Sequence, residues 1–154
     1  MREHVTKGYD LVKSKDIDVH IKNCVLMHHE MRDGSGYPLA LRGNQIDEIA
    51  SIVIVANIYD ELTSKREYRD AVCPFTVIEH FEKEGIDKFS PNVIMTFLSN
   101  IVNTFIANRV LLSDGQAGEI IFINPEHLSR PVIKCGTNYV DLAAKKDISI
   151  ISVI

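Results

Sequence analysis

The stretch VLMHHEMRDGSGYP, Val25 to Pro38, decides how the rest of the sequence is read. It starts as an apolar, helix-like segment and ends in paired histidines, carboxylates, glycines, a tyrosine and a proline. A packed core has no need of His28 and His29 side by side. Upstream, Asp16 is placed to cap a helix reaching about Glu30, and Ile17, Ile21, Cys24, Val25 and His28 recur at helical spacing. The run RDGSGYP then breaks it. Neighbours on a helix point about 100° apart. His28 and His29 can therefore grip two different metal ions, or one can ligate while the other orients a ligand. Imidazole suits Zn, Fe, Mn and Ni. Glu30 and Asp33 are candidates to fix the imidazole tautomers. Gly34 and Gly36 let the backbone turn with positive φ and approach a ligand closely, and the Tyr37 hydroxyl suits a phosphate or a base. Spacing alone leaves two readings open, a metal site and a helix end carrying surface histidines.

The 154 residues suit one domain. Hydrophobic residues make up 45% and charged residues 25%, the balance of an ordinary globular protein. A net charge of -4 argues against general affinity for DNA or RNA, whose phosphates attract basic surfaces. It leaves room for a local basic pocket. The longest apolar run is too short to span a bilayer, and no basic n-region with an apolar stretch opens the sequence, so neither membrane nor leader is expected. Cys24, Cys73 and Cys135 are far apart and in no C-x-x-C pattern, which fits structural thiols in a reduced, cytoplasmic setting.

Around this stretch the periodicity predicts a short helix over 2–13 interrupted by Gly8, and another over Ile46 to Ser64. In the latter Ile46, Ile49, Val53, Ala56 and Asp60 share a face that is apolar until its last turn. A third helix follows Pro74 and stops at Gly85, and a fourth runs from Ser90 and Pro91 to about Leu111. The period then changes: GEIIFINP and RPVIKCG look like strands, and 139–154 holds a further extended piece. The expected fold is mainly α, a helical body over 1–110 with a small β appendage over 111–154.

HHEMRDGSGYP resembles the signature of the HD-GYP family, H-H-E-x-x-D-G-x-G-Y-P, at every fixed position. REHVTKGYDLV, IVIVANIYDELTSKREYR and the closing strands resemble further segments, so the likeness covers essentially the whole chain. It implies a partial helical bundle of the HD superfamily, whose members are metal-dependent phosphohydrolases. Known HD-GYP members hydrolyse cyclic di-GMP, a bacterial second messenger, with two or three metal ions. The resemblance implies metal-ligand positions at His4, His28 and His29, supporting roles for Glu30, Asp33 and Asp60, a ligand-facing Tyr37, and phosphate-holding roles for Arg66 and Arg69. Read without it, the two arginines fit a solvated helix end. His20, His80 and His127 match no ligand position.

The pattern departs in three places. The family's histidine–aspartate doublet lies upstream of the segment containing His4, whereas here Met1 is three residues before His4 and no HD dipeptide occurs. The upstream helices, their ligands and a phosphate-binding lysine thus have no counterpart. The family's downstream ligand aspartate is Asn57, whose amide carbonyl coordinates without charge and so only weakly. Ser51 stands where the family often has arginine. The divalent metal, Fe, Mn or another, is therefore expected to be weakly bound or lost. Two readings follow: a cyclic di-GMP phosphodiesterase domain that is incomplete and weakly active or inactive by itself, and a degenerate module that binds a protein or nucleotide. The missing helices should also uncover apolar surface on residues 2–30 and on the Ile46–Ser64 helix, for a homodimer or partner protein to cover.

Overall fold

A computed structural model describes residues 2–154. The chain forms helices α1 (Glu3–Val12), α2 (Val19–Met27), α3 (Glu48–Thr63), α4 (Pro74–Lys88) and α5 (Pro91–Asn103), then strands β1 (Arg109–Leu112), β2 (Ala117–Asn124), β3 (His127–Cys135), β4 (Asn138–Asp141) and β5 (Ile150–Val153). Contacts divide it into two compact units. The first holds residues up to Asp60 and Glu84–Ile94, and the second holds Glu61–Lys83 and Met95–Ile154.

In the first unit α2 starts two residues later than the sequence suggests. Its cap is Asp18, not Asp16, and the Asp18 carboxylate accepts from the His20 amide at 2.7 Å. The helix ends at Met27 rather than Glu30. Gly8 does not interrupt α1, because a single glycine in a helix costs only about 1 kcal/mol. A fixed bracket joins α2 to the start of α3: Asp47 accepts from His20 Nδ1 at 2.7 Å, from Asn23 Nδ2 at 2.9 Å and from the Ile49 amide at 2.9 Å. Burial pushes the Asp47 carboxyl up, but these hydrogen bonds outweigh it and hold the group below its usual range. Bonding to Asp47 raises His20 above the ordinary imidazole value.

The apolar face that spacing marks on α3 is not the face the chain buries. Ala50, Ile54 and Val55 are buried, while Ile49 is 45% and Val53 37% exposed. Leu11, Val19, Ile21 and Ile52 are exposed as well. The regular 3–4 spacing was real, but it marks an apolar face that solvent reaches.

The second unit carries more β structure than an appendage. Five strands make one antiparallel sheet in the order β4-β3-β2-β1-β5. Helix makes up 43% and strand 22% of the chain, so it is α plus β rather than mainly α. Strand β1 lies where the sequence suggested the end of α5. That helix stops at Asn103, and Ala107 adopts a left-handed φ of 67° before the chain enters β1. Gly85 does not end α4, which continues to Lys88.

The second unit's core gathers Phe75, Ile78 and Phe81 from α4, Leu98 and Val102 from α5, and Val110, Leu112, Ile120 and Ile133 from the sheet. Two polar ties fasten β3 to α4. The Glu82 carboxylate accepts from the Leu128 amide at 2.6 Å and from the Ser129 hydroxyl, and Arg130 donates to Glu79 at 3.0 Å. Hydrogen bonds from Lys83 and Arg130 hold the Glu79 carboxyl below its usual range. Among the described residues no helix is long and apolar enough to cross a membrane.

Candidate metal centre

Three imidazoles converge in the first unit. His4 Nε2 lies 3.2 Å from His28 Nε2 and 3.1 Å from His29 Nε2. The three are the one group of three or more His, Cys, Asp or Glu side chains, among the described residues, able to share an ion. His28 is the C-cap residue of α2, with φ of -63° and ψ of -5°, so the helix ends as the pair begins. Both rings approach one atom of His4.

The donor set fits a metal. Bonds of about 2.0–2.1 Å to imidazole nitrogen put adjacent ligands roughly 2.9–3.4 Å apart in octahedral or tetrahedral shells. Both separations from His4 fall in that interval, and all three ligand atoms lie within 4.8 Å of one another. The His28 tautomer is set by main chain: Nδ1–H donates to the Val25 carbonyl at 2.9 Å and the Cys24 carbonyl at 3.2 Å. The lone pair is left on Nε2, facing His4. A ligating imidazole commonly has its second nitrogen tied down this way.

The loop after His29 is held by its carboxylates, which brace backbone instead of touching imidazole. Glu30 is fully buried and accepts from the Leu39 amide at 2.7 Å and the Leu41 amide at 2.9 Å. Asp33 accepts from the Ser35 hydroxyl at 2.6 Å and amide at 2.9 Å, which holds its carboxyl below the usual range. Gly34 has a φ of 83° and Gly36 marks a close approach. A Cβ at Gly36 would lie 2.4 Å from the Met31 nitrogen and 2.5 Å from Glu30 main-chain atoms, so no side chain fits. The Tyr37 amide donates to the His29 carbonyl at 3.1 Å, and the Tyr37–Pro38 peptide is cis. The Tyr37 ring lies on His29, nearly parallel at 20° with centroids 4.8 Å apart.

Asn57 is half-buried and Asp60 exposed on α3. Arg66 and Arg69 belong to the second unit, in the loop between α3 and α4. There the Arg66 amide donates to the Arg69 carbonyl at 2.9 Å, and the Arg69 guanidinium donates to the Glu61 carbonyl. The Arg69 Nε is buried and has no acceptor among the described residues. Sequence reading missed Arg2, whose guanidinium carbon lies 4.9 Å from the Tyr37 ring centroid. A lone arginine near the start of a sequence gives no signal. The His20–Asp47–Asn23 bracket was missed too, since its partners are up to 27 positions apart.

With this geometry in view, the comparisons with known proteins are specific. A family model for the HD domain matches residues 1–93. The cyclic di-GMP phosphodiesterase response regulator RpfG of Xanthomonas campestris pv. campestris is 41% identical over 73 residues, which is 46% of this chain and 19% of that protein. The 3'3'-cGAMP-specific phosphodiesterase 2 of Vibrio cholerae is 32% identical over 96 residues, 61% of this chain and 18% of that protein. A cyclic di-GMP phosphodiesterase of Pseudomonas aeruginosa is 27% identical over 135 residues, 87% of this chain and 32% of that protein. The chain thus spans between about a fifth and a third of these relatives' lengths. The match over more than half the sequence, together with the complete HHExxDGxGYP signature, places the chain in the HD domain family, of the HD-GYP type.

Proposed function

We propose that this is a phosphodiesterase-type domain for cyclic dinucleotides whose three histidines hold a single divalent ion, weakly, and which hydrolyses little or nothing by itself. The observation that carries the reading is the approach of His28 and His29 to one nitrogen of His4, with the His28 tautomer fixed for ligation. A bound divalent ion supplies charge stabilisation to a phosphodiester and lowers the pKa of water. The chain's own part is to orient. His28 presents Nε2 because its Nδ1 proton is committed to α2 carbonyls, and Tyr37 backs His29. Glu30 and Asp33 keep the loop in place, and we assign Asp60 as a structural partner near the site. We assign Arg66 and Arg69 to phosphate oxygens, a task suited to planar, forked guanidinium. Asn57 offers a neutral carbonyl where a carboxylate would bind more firmly.

Metal content per chain tests this. Protein dialysed against Mn and Fe and analysed by elemental analysis should hold no more than one ion, with feeble turnover of cyclic di-GMP. Two or more firmly held ions would contradict the proposal. Asn57 favours a second reading, a module that binds nucleotide or protein without hydrolysis. Binding of cyclic di-GMP with unchanged ligand recovered afterwards separates that from slow catalysis. The exposed Leu11, Val19, Ile21, Ile49 and Ile52 support a homodimer or partner protein covering this apolar surface. A monodisperse monomer at micromolar concentration in light scattering counts against the homodimer.

A further inference from the structure

Arg2 is the one arginine, among the described residues, in contact with the ring that backs the histidine group, and its donors have no partner among those residues. Its guanidinium carbon sits 4.9 Å from the Tyr37 centroid. Tyr37 in turn stacks on His29, and His29 Nε2 touches His4 Nε2. The neighbouring carboxylate does not compete for it, because Glu3 is paired with Lys7 at 2.8 Å. Arg2 has no ion-pair or side-chain hydrogen-bond partner among the described residues. This contact has a specific consequence. A guanidinium drawn to an aromatic ring by cation–π attraction carries five N–H donors in a fork, and those turned away from the ring are open to an oxyanion. The ring anchors the cation without an ion pair.

We propose that Arg2 is a phosphate-binding residue of this site, with Tyr37 as its platform, and that the ligand class is a phosphate monoester or diester. The inference rests on reading the histidine group as a phosphodiester site, and it supplies a cation from the same unit as the histidines. Arg2 also precedes the first turn of α1, a helix of 10 residues whose free N–H groups favour an anion. A lysine would not replace it fully, since an ammonium carries charge but lacks the planar fork.

The test uses the full chain and methyl phosphate as probe, with binding read from 31P line widths at low ionic strength on metal-free protein. Lys15→Ala removes the same charge from an exposed position of the same unit and serves as control. Arg2→Ala should weaken binding at least tenfold, Arg2→Lys at least threefold, and Lys15→Ala less than twofold. Tyr37→Ala should also weaken binding, although it removes no charge. Equal losses in Arg2→Ala and Lys15→Ala, or full affinity in Arg2→Lys, would overturn the proposal. Co2+ binding, followed by its visible absorption, is measured in parallel. Failure of cobalt to bind would sink the metal reading whatever the phosphate result, so the two outcomes are separable.

Discussion

Gly36→Ala is the sharpest test of how the loop is built. The added Cβ would stand 2.4 Å from the Met31 nitrogen and 2.5 Å from the Glu30 carbonyl carbon and Cα. Ordinary contacts to a Cβ begin near 3.4 Å, so the overlap is about 1 Å on three backbone atoms at once. Backbone cannot rotate away as a side-chain tip can. Either the 30–36 turn opens or the Tyr37 segment lifts off His29. Overpacking of this kind costs typically 1–3 kcal/mol, and rigid neighbours put this case at about 3 kcal/mol. At roughly 2–4 °C per kcal/mol for a chain of this size, the melting midpoint should fall about 6–12 °C. Thermal unfolding by circular dichroism measures it, and cobalt absorption shows whether the histidines still converge. A variant within about 0.5 kcal/mol of wild type, with unchanged cobalt affinity, would refute the packing argument.

Other outcomes follow from the same structure. His4→Ala should abolish cobalt binding, because its Nε2 is common to both short contacts, and retained full affinity would remove His4 from the ligand set. Phe81→Ala, at a side chain 2% exposed, should cost about 3–5 kcal/mol in urea unfolding, and under 1 kcal/mol would contradict its place in the core. The His20–Asp47 link should make stability depend on pH. The folded His20 value is raised, so its contribution is complete below the ordinary imidazole value of about 6.5 and is lost as pH rises through the raised value. His20→Gln should flatten that decline in urea midpoints, and an identical decline would show that His20 is not its source.

Much of the site was legible in the sequence because its parts are local. The signature run supplies two of the three converging histidines, the glycines and the tyrosine within 14 residues. The geometry among them was less accessible. Reading His28 and His29 as helical neighbours sends them apart, whereas the helix stops at Met27 and they converge. Glu30 and Asp33 looked like partners for imidazole, and the hydrogen bonds they accept come from the loop itself, from the Leu39 and Leu41 amides and from Ser35. Strand β1 was hidden for a similar reason. Its residues RVLL suit either element, and the break before it is made by Ala107, which carries none of glycine's signal. The α3 pattern identified a real apolar face, yet spacing does not say whether that face is covered.

The two carbonyls that hold His28 Nδ1–H belong to the last turn of α2 and cannot titrate. The proton is therefore parked by peptide groups, and no change of side chain at Cys24 or Val25 can release it while the turn stays wound. These carbonyls also lie at the electron-rich end of the helix, which makes the ring a better donor through its other nitrogen. Ligand strength at His28 is in this sense inherited from secondary structure, so it can persist in relatives whose neighbouring side chains have drifted. What mutation can remove is the helix end itself: a proline at His28 would delete both the anchor and the imidazole, leaving His4 and His29 to face each other alone.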